Sequence, residues 1–375
     1  MIPPHLIKTS SGFDGGNFQV LLAVTKKLNY SFEIDASNIG TGSYRNGTWT
    51  GMTGSVYYKK ADLCILNSAS LERHDILDFV YIASDHIEFG TRLPSIYIKW
   101  QTVVYPFTTE LWGLLGCCFV GTAILLHLEL HLRSEFNNYY CTNSGLLITY
   151  KIMMDQSSEL KGFSEKFKIF LGLWMLCYLV IGSAYKSDLV SFFSTQAEEE
   201  VPEDFDQLDL HQEYSIVFNY LGGTSYNYFN KSRDGVATHI LPRVISFERD
   251  PGKCILEAVL NSKTVCISFH TPLKTVIARN VSLPGIAESI VLISRPIRSF
   301  STGFAFQKKS VLTDDFAGLV GRLRDAGMPG KWRENIYAYF MHRGKLWIKS
   351  KNSKLLYQTL VRIWEERKRP KLHKE

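Results

Sequence analysis

Few residues in this 375-residue chain have the types and spacing that covalent chemistry needs. It contains no phosphate-cradling P-loop, no GxSxG turn and no paired catalytic His and Cys. The seven cysteines, Cys64, Cys117, Cys118, Cys141, Cys177, Cys254 and Cys266, form neither a CxxC nor a zinc-like Cys/His spacing. An enzyme is not expected, nor a metal or cofactor. What remains is the chemistry of ions. Asp155 and Gln156, with Glu159 close behind, follow a short apolar run. Carboxylates at a constriction concentrate cations, and carbonyls or amides there replace their water. An ordinary polar loop is the competing reading.

The elements that must position these residues are apolar. Leu111–Leu128 and Ile169–Ala184 approach the ~17–25 residues of a membrane-spanning helix. Leu146–Met154 between them is too short to cross. Long, short, long reads as two spans flanking a re-entrant pore loop. Buried helices of a soluble core are the alternative, and His127 and Glu129 dilute the end of the first run.

Composition bounds the rest. Charged residues are 21% and apolar ones 45%, so no large part reads as disordered. The net charge of +6 is concentrated at one end. From His342 onward there are eleven Lys/Arg and three Asp/Glu, so the preceding residues sum to −2. The basic character belongs to a tail and does not call for nucleic acid. MIPPHLIKTSSG has no basic n-region or apolar h-region of a signal peptide. With the first 106 residues expected outside the cell, the expectation is an incomplete 5′ end. Sequons at Asn29, Asn46, Asn230 and Asn280 fall in the outer blocks and none between 107 and 195. Cys254 and Cys266 could pair, and the sequence leaves that open.

Strand and helix patterns alternate in both polar blocks. Phe18–Leu28 is apolar on one helical face, and Asn29–Ile34 alternates like a strand. Ala61–Leu66, Tyr214–Phe218 and Thr264–Ser268 read as short strands, and Asp314–Asp325 as an amphipathic helix ending before Gly327. Alternation of this kind implies α/β lobes.

Several stretches, in order, resemble ionotropic glutamate receptors. Asn46-Gly-Thr-Trp-Thr-Gly-Met-Thr-Gly54, Lys60-Ala-Asp62 and Leu71-Glu-Arg-His-Asp-Ile-Leu-Asp-Phe79 are similar to that family's first ligand-binding segment. Ala184-Tyr-Lys-Ser-Asp-Leu-Val-Ser-Phe-Phe193 resembles its SYTANLAAFL gating motif. Leu323-Arg-Asp-Ala-Gly-Met-Pro-Gly-Lys-Trp332 resembles its late LxExGxxxKW stretch. The degenerate binding residues, and the lack of space for a large amino-terminal domain, are similar to the divergent chemosensory receptors of arthropods. The resemblance implies an α/β two-lobed clamshell of the periplasmic-binding-protein type, interrupted by a helical pore domain. Its segments would be 1–106, a pore region 107–195 (span 111–128, re-entrant loop 146–156, span 169–193), 196–340, and a basic tail 341–375. The tail stands where the family has its last span, and a truncated 3′ end is expected.

The same resemblance assigns residues. Arg73 matches the arginine that grips a ligand carboxylate, for which a planar guanidinium is suited. Thr224 and Ser225 match Ser/Thr at a helix N-terminus, where free N–H groups favour an anion; plain N-capping is the alternative. Ser68 falls in the first-segment binding stretch. Phe269 aligns with the acidic residue that holds a ligand ammonium, so glutamate and glycine fit poorly and a small carboxylic acid fits better. Gln156 matches the pore-loop glutamine. In the gating stretch Ala184, Tyr185, Lys186, Ser187, Asp188 and Leu189, the charges at 186 and 188 replace uncharged residues. The implied function is a ligand-gated cation channel subunit in a cell membrane. It would be glycosylated, with extracellular ligand-binding segments, in a hetero-tetramer with co-receptor subunits. A non-conducting or ligand-free accessory subunit and a soluble clamshell binding protein are the alternatives.

Overall fold

The computed structural model describes residues 3–9, 12–35, 40–98, 103–132, 145–154, 156, 164–194, 197–220, 223–233, 235–286, 289–350, 353–368 and 371–372. The chain divides into two compact units, one of residues 1–94 and 200–367, the other of 95–199 and 368–375. In the first unit, β1 (Ile7–Thr9), β2 (Gly12–Asp14), α1 (Gly16–Leu28), β3 (Tyr44–Arg45), β4 (Thr48–Trp49), α2 (Gly51–Tyr57), β5 (Leu63–Ser68), α3 (Leu71–His74) and β6 (Leu77–Arg92) come first. The second unit holds β7 (Ile96–Ile98), α4 (Thr109–Leu132), α5 (Gly145–Met153), α6 (Glu165–Ser194) and β8 (Ala197–Glu198). The first unit resumes with α7 (Phe205–Leu210), β9 (Ser215–Asn219), α8 (Gly223–Lys231), α9 (Ala237–Ile240), β10 (Val244–Glu248) and α10 (Pro251–Leu260). Then come β11 (Thr264–Phe269), α11 (His270–Val276), β12 (Val291–Ile293), β13 (Arg298–Gln307), α12 (Leu312–Asp325), α13 (Met328–Ile348) and α14 (Lys354–Lys368). β14 (Lys371–Leu372) joins β7 and β8 in the second unit.

Local signals explain the helices. α1 buries Phe18, Leu21 and Val24 on one face, carries Lys26 and Lys27 in its last turn, and stops at Asn29 in the left-handed region at φ 57°. α12 has Asp314 and Asp315 in its first turn, Arg322 and Arg324 in its last, and Phe316 and Val320 on its buried face. Gly327, at φ 71°, follows it. α10 starts at Asp250, whose carboxylate accepts the Gly252 N–H at 2.8 Å, with Pro251 in its first turn.

One seven-stranded sheet runs through the first unit in the order β10-β9-β11-β6-β13-β5, with β12 also on β6. β6 and β13 pair antiparallel from Leu77↔Gln307 to Ile87↔Arg298, with a register shift at Thr302/Gly303. A Cβ at Gly303 would lie 2.0 Å from the Val80 carbonyl oxygen, so the crossing requires glycine.

These two strands thread two cores. At one end Val80, Ile82, Phe304 and Phe306 pack with Phe18, Leu21, Val24, Phe316 and Val320. The opposite face packs Leu77, Ala305 and Cys64 under Val56 of α2. At the other end Ile87, Phe89, Ile216, Phe218, Val265 and Ile267 pack with Phe205 and Phe229. Val217 and Cys266 turn to the opposite face, onto α10 and α14. β9 and β11 run parallel and are buried on both faces, which explains their near-continuous apolar sequence.

Several expectations differ from what is observed. Asn29–Ile34 forms no strand; the chain there is irregular, with Tyr30 and Phe32 about 40% exposed. The strand expected at Ala61–Leu66 runs from Leu63 to Ser68. α13 crosses position 341 without a break, and Ile348, Leu360 and Ile363 are buried in the second core beneath the basic residues. Cys254 and Cys266, the pair left open, are joined by a disulfide between α10 and β11.

In the second unit, α4 and α6 are long and apolar enough to cross a membrane by length and composition, over Thr109–Glu129 and Glu165–Phe192. Of these stretches 17% and 11% is buried. The short α5 packs Ile148 and Ile152 against Leu126 of α4 and Leu171 of α6.

Candidate functional site

Arg73 sits on α3, just past the end of β5, and is 3% exposed. Its Nη1 donates to Asn67 Oδ1 at 2.6 Å and to the Ser68 carbonyl at 3.1 Å. Its Nη2 donates to the Gly42 carbonyl at 2.6 Å. Burial lowers its pKa to about 10, which leaves it cationic at neutral pH. Among the described residues no carboxylate forms an ion pair with it. All three acceptors are neutral, so its charge is oriented but not neutralised.

The acceptors are themselves held. Asn67 is fully buried and donates to Thr53 Oγ1 at 2.9 Å, and Thr53 donates to the Thr41 carbonyl at 2.5 Å. Gly42 has φ 85°, and a Cβ there would lie 1.8 Å from the Thr50 carbonyl oxygen. Only glycine lets this loop cross the start of α2 closely enough to aim its carbonyl at Arg73.

The second sequence block meets this corner. A Cβ on Gly223, at the start of α8, would lie 2.9 Å from Ser43 Cβ, one residue from Gly42. Arg45 donates to the Tyr220 hydroxyl at 2.5 Å, and Lys231 pairs with Glu72. Thr224 and Ser225, in the first turn of α8, are 5% and 2% exposed. Their hydroxyl oxygens are buried with no hydrogen-bond partner among the described residues, so neither caps its helix. Orphaned buried hydroxyls cost ~1–3 kcal/mol each, a cost that a bound oxygen acceptor would relieve.

Ser68 is 7% exposed and contributes its backbone carbonyl. Phe269 ends β11 and meets Phe300 edge-on at 6.0 Å; Phe300 in turn meets Tyr228 of α8 at 6.2 Å. This position offers an aromatic ring and no carboxylate. Asn67 stands in the Leu66-Asn67-Ser68 stretch that aligns with the family's first binding segment, though with no role of its own there; Gly42 escaped the sequence reading, since a loop glycine gives no signal until Arg73 is placed beside it.

A second polar cluster lies where β6 passes between the cores. Glu88, 6% exposed, meets His270 Nδ1 at 2.7 Å and raises the histidine's pKa. Asp85 accepts the Thr271 N–H at 3.1 Å and the His86 N–H at 3.0 Å, while burial pushes its carboxyl upward. The Tyr337 phenol is pushed up to about 12 by burial, with a hydrogen bond to Thr271 opposing the shift.

In the second unit, Gln156 is exposed just beyond α5, its N–H donating to the Lys151 carbonyl at 2.8 Å. Asp155 lies outside the described residues. Ala184, Tyr185, Lys186, Ser187, Asp188 and Leu189 all lie within α6. Tyr185 donates to the Val103 carbonyl at 2.9 Å and packs against Phe107 and Trp112. Of the sequon asparagines, Asn29, Asn46 and Asn230 are exposed, whereas Asn280 is half-buried with Oδ1 accepting from Arg279 Nε at 3.0 Å.

No family model matches the chain. Individual proteins do. It is 22% identical over 350 residues to the mouse (Mus musculus) ionotropic glutamate receptor delta-1, covering 87% of this chain and 34% of that receptor. It is 23% identical over 252 residues to the kainate-type ionotropic glutamate receptor glr-3 of Caenorhabditis elegans, covering 61% and 30%. With the mouse kainate 4 receptor the identity is 24% over 248 residues, covering 59% and 25%. The chain spans about a third, or less, of the length of these curated relatives. Its homologues are thus ionotropic glutamate receptors of the delta and kainate kinds.

Proposed function

We propose that this homologue of ionotropic glutamate receptors is a ligand-gated cation channel subunit of the divergent, chemosensory type, and that its ligand is a small carboxylic acid rather than glutamate. The observation that carries the reading is Arg73. A buried guanidinium held by three neutral acceptors keeps its charge for an anion, and the orphaned Thr224 and Ser225 hydroxyls offer donors at the facing helix end. Glu72 is taken by Lys231 and position 269 is phenylalanine, which leaves an amino acid's ammonium without a carboxylate at these two positions. Closure of a clamshell on the acid would pull on the α6 stretch from Ala184 to Leu189. Cations would pass Asp155 and Gln156, and α4 and α6 would anchor the subunit in a cell membrane. We place the ligand-binding segments outside, glycosylated, in a hetero-tetramer with co-receptor subunits.

Co-expression with a conducting partner tests the reading. Small carboxylic acids should evoke a cation current that their isosteric amides do not, and Arg73→Ala should abolish it. Equal responses to acid and amide would remove the carboxylate reading. A second reading, a non-conducting accessory subunit, is favoured by Lys186 and Asp188 inside the gating stretch. It predicts no acid-evoked current but retained acid binding. Release of the chain from membranes by carbonate would overturn both.

A further inference from the structure

Four side chains that the Arg73 site leaves unused meet on one face of the sheet. Along β6, Ile87 and Phe89 point into one core, so His86 and Glu88 lie on the opposite face. Across the ladder His86 faces Ser299 of β13. On its other side β6 pairs with β11 as far as Ile87↔Phe269, and His270 is the next residue, one step past that last rung. The two imidazoles come together there, half-buried, with ring centroids 6.5 Å apart and planes at 74°. Each ring is held through Nδ1. Glu88 Oε2 lies 2.7 Å from His270 Nδ1, and Ser299 Oγ lies 2.7 Å from His86 Nδ1. An ionised carboxylate only accepts, so His270 Nδ1 carries the proton and the neutral ring presents its Nε2 lone pair. Among the described residues neither Nε2 forms a hydrogen bond.

We propose that His86 and His270 form a two-imidazole site for a transition-metal dication, Zn²⁺ or Cu²⁺. Neutral imidazole suits these ions, whereas Ca²⁺ and Mg²⁺ take sets of oxygen ligands. A ring fixed at Nδ1 by a carboxylate or hydroxyl, with Nε2 left open, is the arrangement that metal-bound histidines share. Metal–nitrogen bonds of about 2.0–2.1 Å put two rings on one tetrahedral ion with centroids about 5 Å apart, so these rings must close by roughly 1 Å. Rotation of two half-buried side chains supplies that. Among the described residues no third His, Cys, Asp or Glu completes a ligand set. Water therefore fills the other positions, and the ion is exchangeable rather than structural. Glu88 behind His270 supplies compensating negative charge, and the nearby cation Lys274 is paired with Glu334 at 3.1 Å. The ion would tie β6 to the start of α11 and stiffen the strand that joins the two cores. The proposal stands on the two rings and their holders and does not depend on which ligand Arg73 takes.

The test uses the full chain in lipid nanodiscs, stripped of metal with a chelator and with its exposed thiols at Cys117 and Cys177 alkylated. Cu²⁺ is the spectroscopic probe and Zn²⁺ its competitor. One equivalent of Cu²⁺ should bind at micromolar concentration, its electron paramagnetic resonance spectrum should show coupling to two imidazole nitrogens, and Zn²⁺ should displace it. His86→Ala, which leaves the Glu88–His270 pair intact, should reduce the coupling to one nitrogen and weaken binding at least tenfold, while acid binding at Arg73 persists. Glu88→Gln keeps both ligands but removes the carboxylate behind His270, and should weaken binding by about tenfold or more. Unchanged metal affinity in His86→Ala would overturn the proposal, because the ion would then sit elsewhere. A wild-type spectrum with fewer than two imidazole nitrogens, or no binding at micromolar metal, would overturn it as well.

Discussion

The two faces of the candidate site are provisioned oppositely. Around Arg73 every guanidinium contact is answered by a protein acceptor, and those acceptors are braced in turn by Thr53 and by the tight turn at Gly42. At the start of α8, Thr224 and Ser225 are as deeply buried but their hydroxyls are unanswered. The first face is built before any ligand arrives; the second is left incomplete. Preorganised charge gives an anion most of its affinity, because the cost of burying and orienting the arginine is met in folding. Unanswered hydroxyls contribute differently. They give a modest gain on binding and reward only a ligand long enough to reach both faces.

The largest effect should therefore come from the braced face. Arg73→Ala removes one partner of a buried charged contact, which typically costs about 2–5 kcal/mol, so acid binding should weaken by roughly 30-fold or more. Titration of purified protein with a panel of small acids reads this directly. Arg73→Lys should recover only part, since a point charge lacks the planar fork. Unchanged affinity in Arg73→Ala would show that the braced cation serves folding alone.

The unanswered face should give less. Ser225→Ala removes a hydroxyl that has no partner among the described residues, so stability should hold or rise slightly. Acid affinity should fall by a factor of about 2–12, the worth of one ordinary hydrogen bond of ~0.5–1.5 kcal/mol. The two readouts moving in opposite directions is the signature of a hydroxyl kept for a ligand. A loss of stability with unchanged affinity would make it a structural group. Phe269→Glu sharpens the same contrast by restoring a carboxylate beside the second face. Amino acids should then gain on simple acids in direct competition, and an unchanged ranking would place the ligand away from β11.

How much of this was legible in the sequence depended on whether one element carried its own signal. α12 did, with acids first, bases last and a glycine beyond. β9 and β11 did, because strands covered on both faces must be apolar throughout. The tail misled, since charge dominates its composition while its buried contacts rest on Ile348, Leu360 and Ile363, spread over two helices. Asn29–Ile34 misled in the other direction: alternation states what a segment can pair with, and the neighbour that decides the matter lies elsewhere in the chain. The candidate site was half legible. Arg73, Asn67, Thr224 and Ser225 stand in recognisable stretches, but the bracing by Asn67 and Gly42 acquires meaning only from the fold that brings residues 42, 67 and 73 together.

The smallest effect concerns how the second face is anchored, and it turns on pH. Just after Phe269, His270 meets Glu88 at 2.7 Å, with Asp85 and His86 of β6 and Lys274 of α11 as the other titratable neighbours. Glu88 raises the histidine's pKa above its ordinary 6.5. A raised pKa means the folded state holds the proton more tightly than the unfolded chain. The stabilisation is therefore fully present below pH ~6.5 and is lost as pH rises through the raised value. His5, buried against Asn17 at 3.1 Å with its pKa lowered to about 4, does the reverse: its contribution is full above pH ~6.5 and disappears as pH falls toward 4. Thermal midpoints measured from pH 5 to 8.5 should show an alkaline decline that Glu88→Gln removes while leaving the acid decline in place. Because His270 is about a third exposed, solvent screens the pair, and the alkaline decline should be of the order of 1–2 °C. An alkaline limb that survives in Glu88→Gln would mean that α11 is held at its start by the backbone bond from Thr271 to Asp85, with the ion pair contributing nothing measurable.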